Sequence, residues 1–168
     1  WLVGWLVGWL VCLFLIWRLG MIHEVSSLVA DPGAPRQCIH ADTIVLPCPQ
    51  YPNVVMEPMY TFFIALQDVT FEMGHTVFLP RTHTPEAHIL WNTNQNGKER
   101  FIASSNAVSS ELKKGDVAIF DSRVLHCGEY SKEYSTSRIS QCFQLLELNA
   151  MNDEAFIYCF VIAGDTTS

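Results

Sequence analysis

The residues best suited to chemistry begin with a histidine and an aspartate that are one residue apart. His40 and Asp42 stand in the stretch RQCIHADT, residues 36–43, directly after a segment rich in Pro and Gly. Both side chains are common ligands of divalent metal ions, so the pair could form half of a metal site. The chain has six histidines and 17 acidic residues, so a His-x-Asp pair also arises readily by chance. Two polar residues at a turn is the competing interpretation.

A complete iron site of the 2-His-1-carboxylate type needs one further histidine, so that three protein ligands occupy one face of an octahedron. The best candidate is His126 in IFDSRVLHCGEYS, at the end of an apolar run and just before Gly128. Arg138 follows after another short segment, and Ser140 stands two residues beyond it. A guanidinium has the planar fork that holds a carboxylate through paired hydrogen bonds. Metal ligands followed by an anion clamp are therefore expected.

The elements that must position these residues are mostly short strands. Aromatic and β-branched residues concentrate in separate runs, and Gly, Pro, Asn or Ser residues bound each run. The runs cover residues 61–69, 75–80, 116–126, 137–148 and 155–163. Helical periodicity outside the N-terminus is confined to residues 84–92. This pattern predicts a mainly β protein, a sandwich or jelly roll. In the 137–148 strand, Arg138, Ser140 and Cys142 should share one face.

Composition restricts the class of protein. A chain of 168 residues fits one domain with its own core. The net charge is −7 and no basic run is longer than two residues, which argues against a nucleic-acid partner. The six cysteines include no C-x-x-C pair, a usage typical of reduced thiols in an intracellular compartment.

The N-terminus is unusual, because residues 1–17 are uncharged and open with a repeated tetrapeptide, WLVG. A helix of this length would be about 25 Å long, near the lower limit for crossing a bilayer. Membrane anchoring through residues 1–17 is one interpretation, and a low-complexity extension or a buried helix is the other. We expect an apolar segment at 1–24 and a β domain at 25–168, in a protein that is cytoplasmic or anchored by its N-terminus.

The order of the motifs resembles the phytanoyl-CoA dioxygenase family of Fe(II)- and 2-oxoglutarate-dependent oxygenases. The resemblance covers about residues 25–148. It rests on the order His-x-Asp, FIALQDVTFEMGHTVFLPRTH, LKKGDVAIFDSRVLHCG and SRIS. It implies a double-stranded β-helix, which is a cupin-like jelly roll. Two departures stand out: PRTH at 80–83 replaces a Pro-Gly-Ser/Thr-His turn, and the region before His40 is short.

Carried over position by position, the resemblance implies that His40, Asp42 and His126 bind Fe(II). It implies that Arg138, assisted by Ser140, pairs with the distal carboxylate of 2-oxoglutarate, and that Thr61 reaches the same cosubstrate. No catalytic residue beyond the metal ligands is expected. The implied function is a dioxygenase that uses O2 to hydroxylate a small-molecule or lipid-like substrate, with release of succinate and CO2.

Two alternatives stay open at the level of sequence. A truncated or non-catalytic jelly roll could retain the scaffold as a binding protein without turnover. A cupin-like hydrolase could use the same ligands for zinc and a bound hydroxide, although an anion clamp at Arg138 argues against it. The histidines at 75, 83 and 88 have spacings that suit loop hydrogen bonds better than metal binding.

Overall fold

The computed structural model describes residues 21–45, 50, 52–54, 59–93, 101–133, 136–146 and 160–162. The strands are β1 (Met21–Ala30), β2 (Met59–Ala65), β3 (Thr76–Phe78), β4 (Val108–Ser110), β5 (Val117–Asp121), β6 (His126–Gly128), β7 (Arg138–Leu146) and β8 (Phe160–Ile162), and the helix α1 spans Pro85–Thr93. The predicted mainly β architecture is confirmed, and so is the helical segment near residues 84–92. The apolar residues 1–17, with their predicted helix or anchor, lie outside the described residues. Within the described part, no helix has both the length and the hydropathy needed to cross a bilayer.

The strands form two antiparallel sheets. One has five strands in the order β1-β7-β2-β5-β8, and the other has three in the order β4-β3-β6. β7 lies between β1 and β2, with Ala30 opposite Arg138 and Ala65 opposite Ser140. Sequence analysis did not predict β1, which crosses the expected boundary between residues 24 and 25.

The predicted alternation in β7 is confirmed. Arg138, Ser140 and Cys142 are buried, whereas Ile139 between them is exposed. At the N-terminal end of β7, the face that is turned towards the protein interior therefore carries the polar side chains of Arg138 and Ser140. A strand whose polar side chains face a protein interior must supply hydrogen bonds to them or present them to a ligand.

The single strand predicted over residues 116–126 is wrong, because a turn divides it into β5 and β6. The backbone N of Val124 donates to the carbonyl of Asp121 at 2.8 Å. The side-chain carboxylate of Asp121 accepts a further hydrogen bond, from the backbone N of Arg123 at 2.9 Å. An aspartate that bonds to the backbone two residues ahead favours a turn over a continued strand. The turn places His126 at the start of the second sheet.

The main core lies between the sheets and gathers inward-facing apolar residues from both of them. Its members are Phe63, Ala65, Val69, Phe78, Leu112, Ala118, Phe120, Val124 and Cys142. A second cluster of Leu79, Phe101 and Leu125 packs against Ile39, Ala41, Ala87 and Trp91. Ile39 and Ala41 alternate with His40 and Asp42 along the chain. Because Ile39 and Ala41 pack against this cluster, the side chains of His40 and Asp42 are directed to the opposite side.

Candidate metal centre

Backbone hydrogen bonds bring the His-x-Asp segment beside β6. The backbone N of His40 donates to the carbonyl of His126 at 2.9 Å, and the backbone N of His126 donates to the carbonyl of His40 at 2.8 Å. Asp42 is held in turn by its backbone N, which donates to the carbonyl of Ser122 at 2.9 Å. An isolated β-bridge thus fixes the main chain of His40 and His126, and the bond to Ser122 fixes that of Asp42.

The three side chains converge on one point. Oδ1 of Asp42 lies 3.4 Å from Nε2 of His126 and 3.8 Å from Nε2 of His40. One ligand atom from each residue falls within 4.8 Å of the other two. Donors bound to one divalent transition-metal ion at about 2.0–2.2 Å are roughly 3 Å apart at right angles. The set therefore has nearly the spacing that a single ion requires.

The tautomers of both histidines suit metal binding. Nδ1 of His40 lies 2.8 Å from the carbonyl of Cys38, and Nδ1 of His126 lies 2.9 Å from the carbonyl of Val124. A carbonyl oxygen only accepts, so each Nδ1 must carry a proton. In the neutral rings the lone pair is then on Nε2, the nitrogen that faces Asp42.

The Asp42 carboxylate is stabilised in its charged form. Burial alone would raise its pKa, but hydrogen bonding and charge from the protonated form of His126 outweigh this effect. The Thr61 hydroxyl and the charge of protonated His40 act in the same direction, so the pKa of Asp42 lies below its ordinary value. In their neutral forms the two imidazoles offer Nε2 lone pairs beside this carboxylate, and that donor set fits a divalent transition-metal ion.

The two histidines differ in their surroundings. The side chain of His126 is 4% exposed, whereas that of His40 is 44% exposed. Aromatic rings enclose His126, with centroids of Phe120, Phe78 and Phe63 at 5.0, 5.8 and 6.4 Å. The centre is therefore walled on the β6 side and open to solvent on the His40 side.

Arg138 is buried, with only 8% of its surface exposed. Its Nη1 donates to the carbonyl of Gly74 and, at 3.3 Å, to the hydroxyl of Thr76. Its Nε is buried and has no hydrogen-bond partner, a property shared among the described residues only with Nδ1 of His83. A buried charged group with a spare donor is suited to an anionic ligand.

A small cavity lies against Arg138 and Ser140. Its other polar lining groups are Thr76 and Ser110, and its apolar lining comes from Leu28, Phe63, Val69 and Leu112. Phe63 also contacts His126, so one side chain separates the cavity from the candidate metal centre. The binding of a carboxylate by Arg138 and Ser140 stays a prediction.

Thr61 contacts one of the metal ligands and does not line this cavity. Its hydroxyl donates to Oδ2 of Asp42 at 3.2 Å, and it is not among the residues that line the cavity at Arg138. The expected contact of Thr61 with the cosubstrate stays a prediction. Sequence analysis did not identify the Thr61 to Asp42 bond, because no local pattern relates two residues on separate segments.

The other described histidines near the core are not at the candidate centre. Nδ1 of His75 lies 3.2 Å from the carbonyl of Phe71, and Nε2 of His88 lies 2.8 Å from the carbonyl of Arg123. The prediction of loop hydrogen bonds is confirmed for these two. Burial lowers the pKa of His83, whose Nδ1 has no partner.

Several solved structures are similar to this chain in fold. AviO1 from Streptomyces viridochromogenes Tue57 is 18% identical with a TM-score of 0.57, over 79% of this chain and 53% of that one. SnoK, a non-heme alpha-ketoglutarate-dependent carbocyclase from nogalamycin biosynthesis, is 19% identical with a TM-score of 0.58, over 75% and 49%. EctD from S. alaskensis, solved with bound Fe, is 14% identical with a TM-score of 0.56, over 76% and 44%.

The chain thus spans about half the length of these proteins and shares their fold. No curated protein matches it. The family model described as phytanoyl-CoA dioxygenase (PhyH) matches residues 12–133, which is well over half of the 168 residues. The predicted resemblance is confirmed: the chain belongs to the phytanoyl-CoA dioxygenase family.

Proposed function

We propose that the protein is an Fe(II)- and 2-oxoglutarate-dependent dioxygenase in which His40, Asp42 and His126 bind the metal. The observation that carries this proposal is the convergence of the two Nε2 atoms on Oδ1 of Asp42. Two imidazoles and one carboxylate on one face are typical of non-heme iron oxygenases, because the opposite face stays free for ligands. EctD of this fold binds Fe, which supports the choice of metal.

Arg138 is proposed to hold the distal carboxylate of 2-oxoglutarate, with Ser140 as a second donor. The support is that both residues line one cavity and that the buried Nε of Arg138 has no hydrogen-bond partner. Nη1 is already fixed by Gly74 and Thr76, so the guanidinium is oriented before a ligand arrives. A preoriented donor loses little conformational entropy on binding.

The bound iron would activate O2 at the expense of 2-oxoglutarate, and the protein residues hold the reactants and exclude water. For a hydroxylation, one oxygen atom of O2 enters a C–H bond of the substrate and the other enters succinate, while the 2-oxoglutarate carboxylate next to the keto group leaves as CO2. We propose a small-molecule or lipid-like substrate. SnoK, a carbocyclase, has the same fold, so ring closure is the alternative outcome to the hydroxylation that we propose.

The test is succinate formation from 2-oxoglutarate by the Fe(II)-loaded protein, with O2 consumption followed across a panel of candidate substrates. Activity should require O2 and Fe(II) and should be lost in His126→Ala, while circular dichroism shows an unchanged fold. Zn(II) in place of Fe(II) should give no turnover. Succinate formation that survives the loss of His126 would contradict the proposed metal site.

A binding protein without turnover is the second candidate. Such a protein would keep the three candidate ligands and the cavity at Arg138 without catalysing a reaction. Such a protein would bind Mn(II) and 2-oxoglutarate in equilibrium titrations yet release no succinate with any substrate. Coupled O2 consumption and succinate formation with one substrate would exclude it.

A further inference from the structure

The strongest unassigned feature near the candidate centre is the environment of the Asp42 carboxylate. Its two oxygens have different neighbours: Oδ1 faces the imidazoles of His40 and His126, and Oδ2 accepts a hydrogen bond from Thr61 at 3.2 Å. A carboxylate can bind a metal through one oxygen or both. The neighbour of Oδ2 therefore bears on how Asp42 coordinates.

Thr61 is well placed to control that choice. It lies near the middle of β2, paired with Phe120 of β5 and Gln144 of β7, and its side chain is completely buried. A strand held on both sides cannot move its Cβ easily, and a β-branched side chain has few rotamers. The hydroxyl is therefore a fixed donor. The main chain of Asp42 is also fixed, by its bond to Ser122. The remaining freedom is mainly rotation of the Asp42 side chain, and the bond from Thr61 restrains it.

We infer that Thr61 is a positioning residue that holds Oδ2 of Asp42 away from the metal and keeps this ligand bound through Oδ1 alone. The inference rests on the proposed function, because it takes the three-residue centre as the metal site. One-oxygen binding leaves three positions of an octahedral ion free for other ligands, whereas two-oxygen binding would occupy one of them. Hydrogen bonds to ligating carboxylates also orient them and raise metal affinity.

The experiment compares Thr61→Val with Thr61→Ser. Valine keeps the branched shape but removes the donor, whereas serine keeps the hydroxyl. Mn(II) binding to the metal-free full chain is measured without 2-oxoglutarate, from the electron paramagnetic resonance signal of the free ion. We expect Thr61→Val to weaken Mn(II) binding by about 10- to 100-fold and Thr61→Ser to stay close to wild type.

A second readout reports the coordination itself. The visible absorption of the Co(II)-loaded protein depends on coordination number, so it should change in Thr61→Val and not in Thr61→Ser. The matched control is Thr70→Val, the same substitution at an exposed position, which should leave both readouts unchanged. If Thr61→Val does not fold, Thr61→Ala takes its place in the same comparison with Thr61→Ser.

The outcomes separate this inference from the proposed function. Wild-type Mn(II) affinity and Co(II) absorption in Thr61→Val would overturn the positioning role. A loss confined to 2-oxoglutarate affinity at saturating metal would also overturn it, and would assign Thr61 to the cosubstrate instead. No Mn(II) binding by the wild-type chain would overturn the metal site itself, before any variant is compared.

Discussion

At the scale of single residues, the sequence contains the candidate ligands but not the groups that orient them. His40, Asp42 and His126 could be chosen by residue type and order, because metal chemistry needs particular donor atoms. Their partners are backbone carbonyls and the Thr61 hydroxyl. A carbonyl exists at every position of the chain, so sequence alone cannot indicate which one a ring nitrogen will meet.

Arg81 offers a prediction at this scale. It is the one described non-glycine residue with a positive φ, at 65°, and it occupies the second position of PRTH. The left-handed conformation costs an L-residue about 1–2 kcal/mol. Glycine avoids this strain, but it loses more backbone entropy on folding, which offsets part of the gain. Arg81→Gly should therefore raise the free energy of unfolding by about 0.5–1 kcal/mol.

Urea unfolding measures this change. Lys114→Gly is the control, because Lys114 is exposed in a turn and its φ is not positive. Glycine there gains no relief from steric clash and should lower stability. If both variants are destabilised equally, the backbone of Arg81 is not strained.

The cysteines give a second prediction at this scale. Burial raises the pKa of the Cys142 thiol to about 11, despite an opposing hydrogen bond from Ser26. Above neutral pH this thiol should stay protonated in the folded protein, whereas Cys38 is exposed. Because the thiolate is the nucleophile, native alkylation at pH 8 should modify Cys38 well before Cys142. Peptide mass spectrometry over time measures both rates, and equal rates would contradict the buried position of Cys142.

At the scale of elements, local patterns predicted most strands but not their interruptions and distant pairings. β7 and β2 have clear aromatic and β-branched runs. β1 was not predicted, because its partner β7 lies more than a hundred residues away and its own sequence, MIHEVSSLVA, mixes polar and apolar residues. The turn between β5 and β6 depends on the Asp121 side chain, which a hydrophobicity pattern does not register.

The segment leading into β3 gives a prediction at this scale. Gly74 and Gly115 both have positive φ, at 69° and 93°. A Cβ at Gly74 would lie 2.7 Å from the carbonyl oxygen of Glu129, whereas a Cβ at Gly115 would meet nothing within 4 Å. Gly115→Ala should cost only the conformational strain, about 1–2 kcal/mol. Gly74→Ala must also displace backbone, so it should cost clearly more.

Thermal and urea unfolding of the two variants measure the difference. Gly74→Ala should in addition weaken 2-oxoglutarate binding, because the Gly74 carbonyl accepts from Arg138. Gly115→Ala is the control for that effect, since it lies in the turn between Lys113 and Asp116. Equal losses of stability in both variants would contradict the close packing at Gly74.

At the scale of the whole molecule, ligands should stabilise the fold by joining separate parts of it. The candidate metal centre connects the His40 segment to β6. Arg138 connects β7 of one sheet to Thr76 in β3 of the other sheet and to Gly74 just before that strand. A ligand at 100 times its Kd stabilises the native state by about 2.7 kcal/mol. Mn(II) should therefore raise the melting temperature by several degrees, and 2-oxoglutarate should add to this only when the metal is present.

Differential scanning fluorimetry with each ligand alone and with both measures the effect. His126→Ala should abolish the response to Mn(II). A full response to 2-oxoglutarate in the absence of metal would contradict the expectation that its binding depends on the ion.

The unequal exposure of the two imidazoles determines how an ion would enter and leave. His126 is enclosed by phenylalanine rings, whereas nearly half of the His40 side chain is in contact with water. Exchange of the ion should therefore begin with detachment of His40, which can rotate outward without disturbing the core. A chelator would then act from that side, and the rate of iron release would be set by a surface histidine more than by separation of the two sheets.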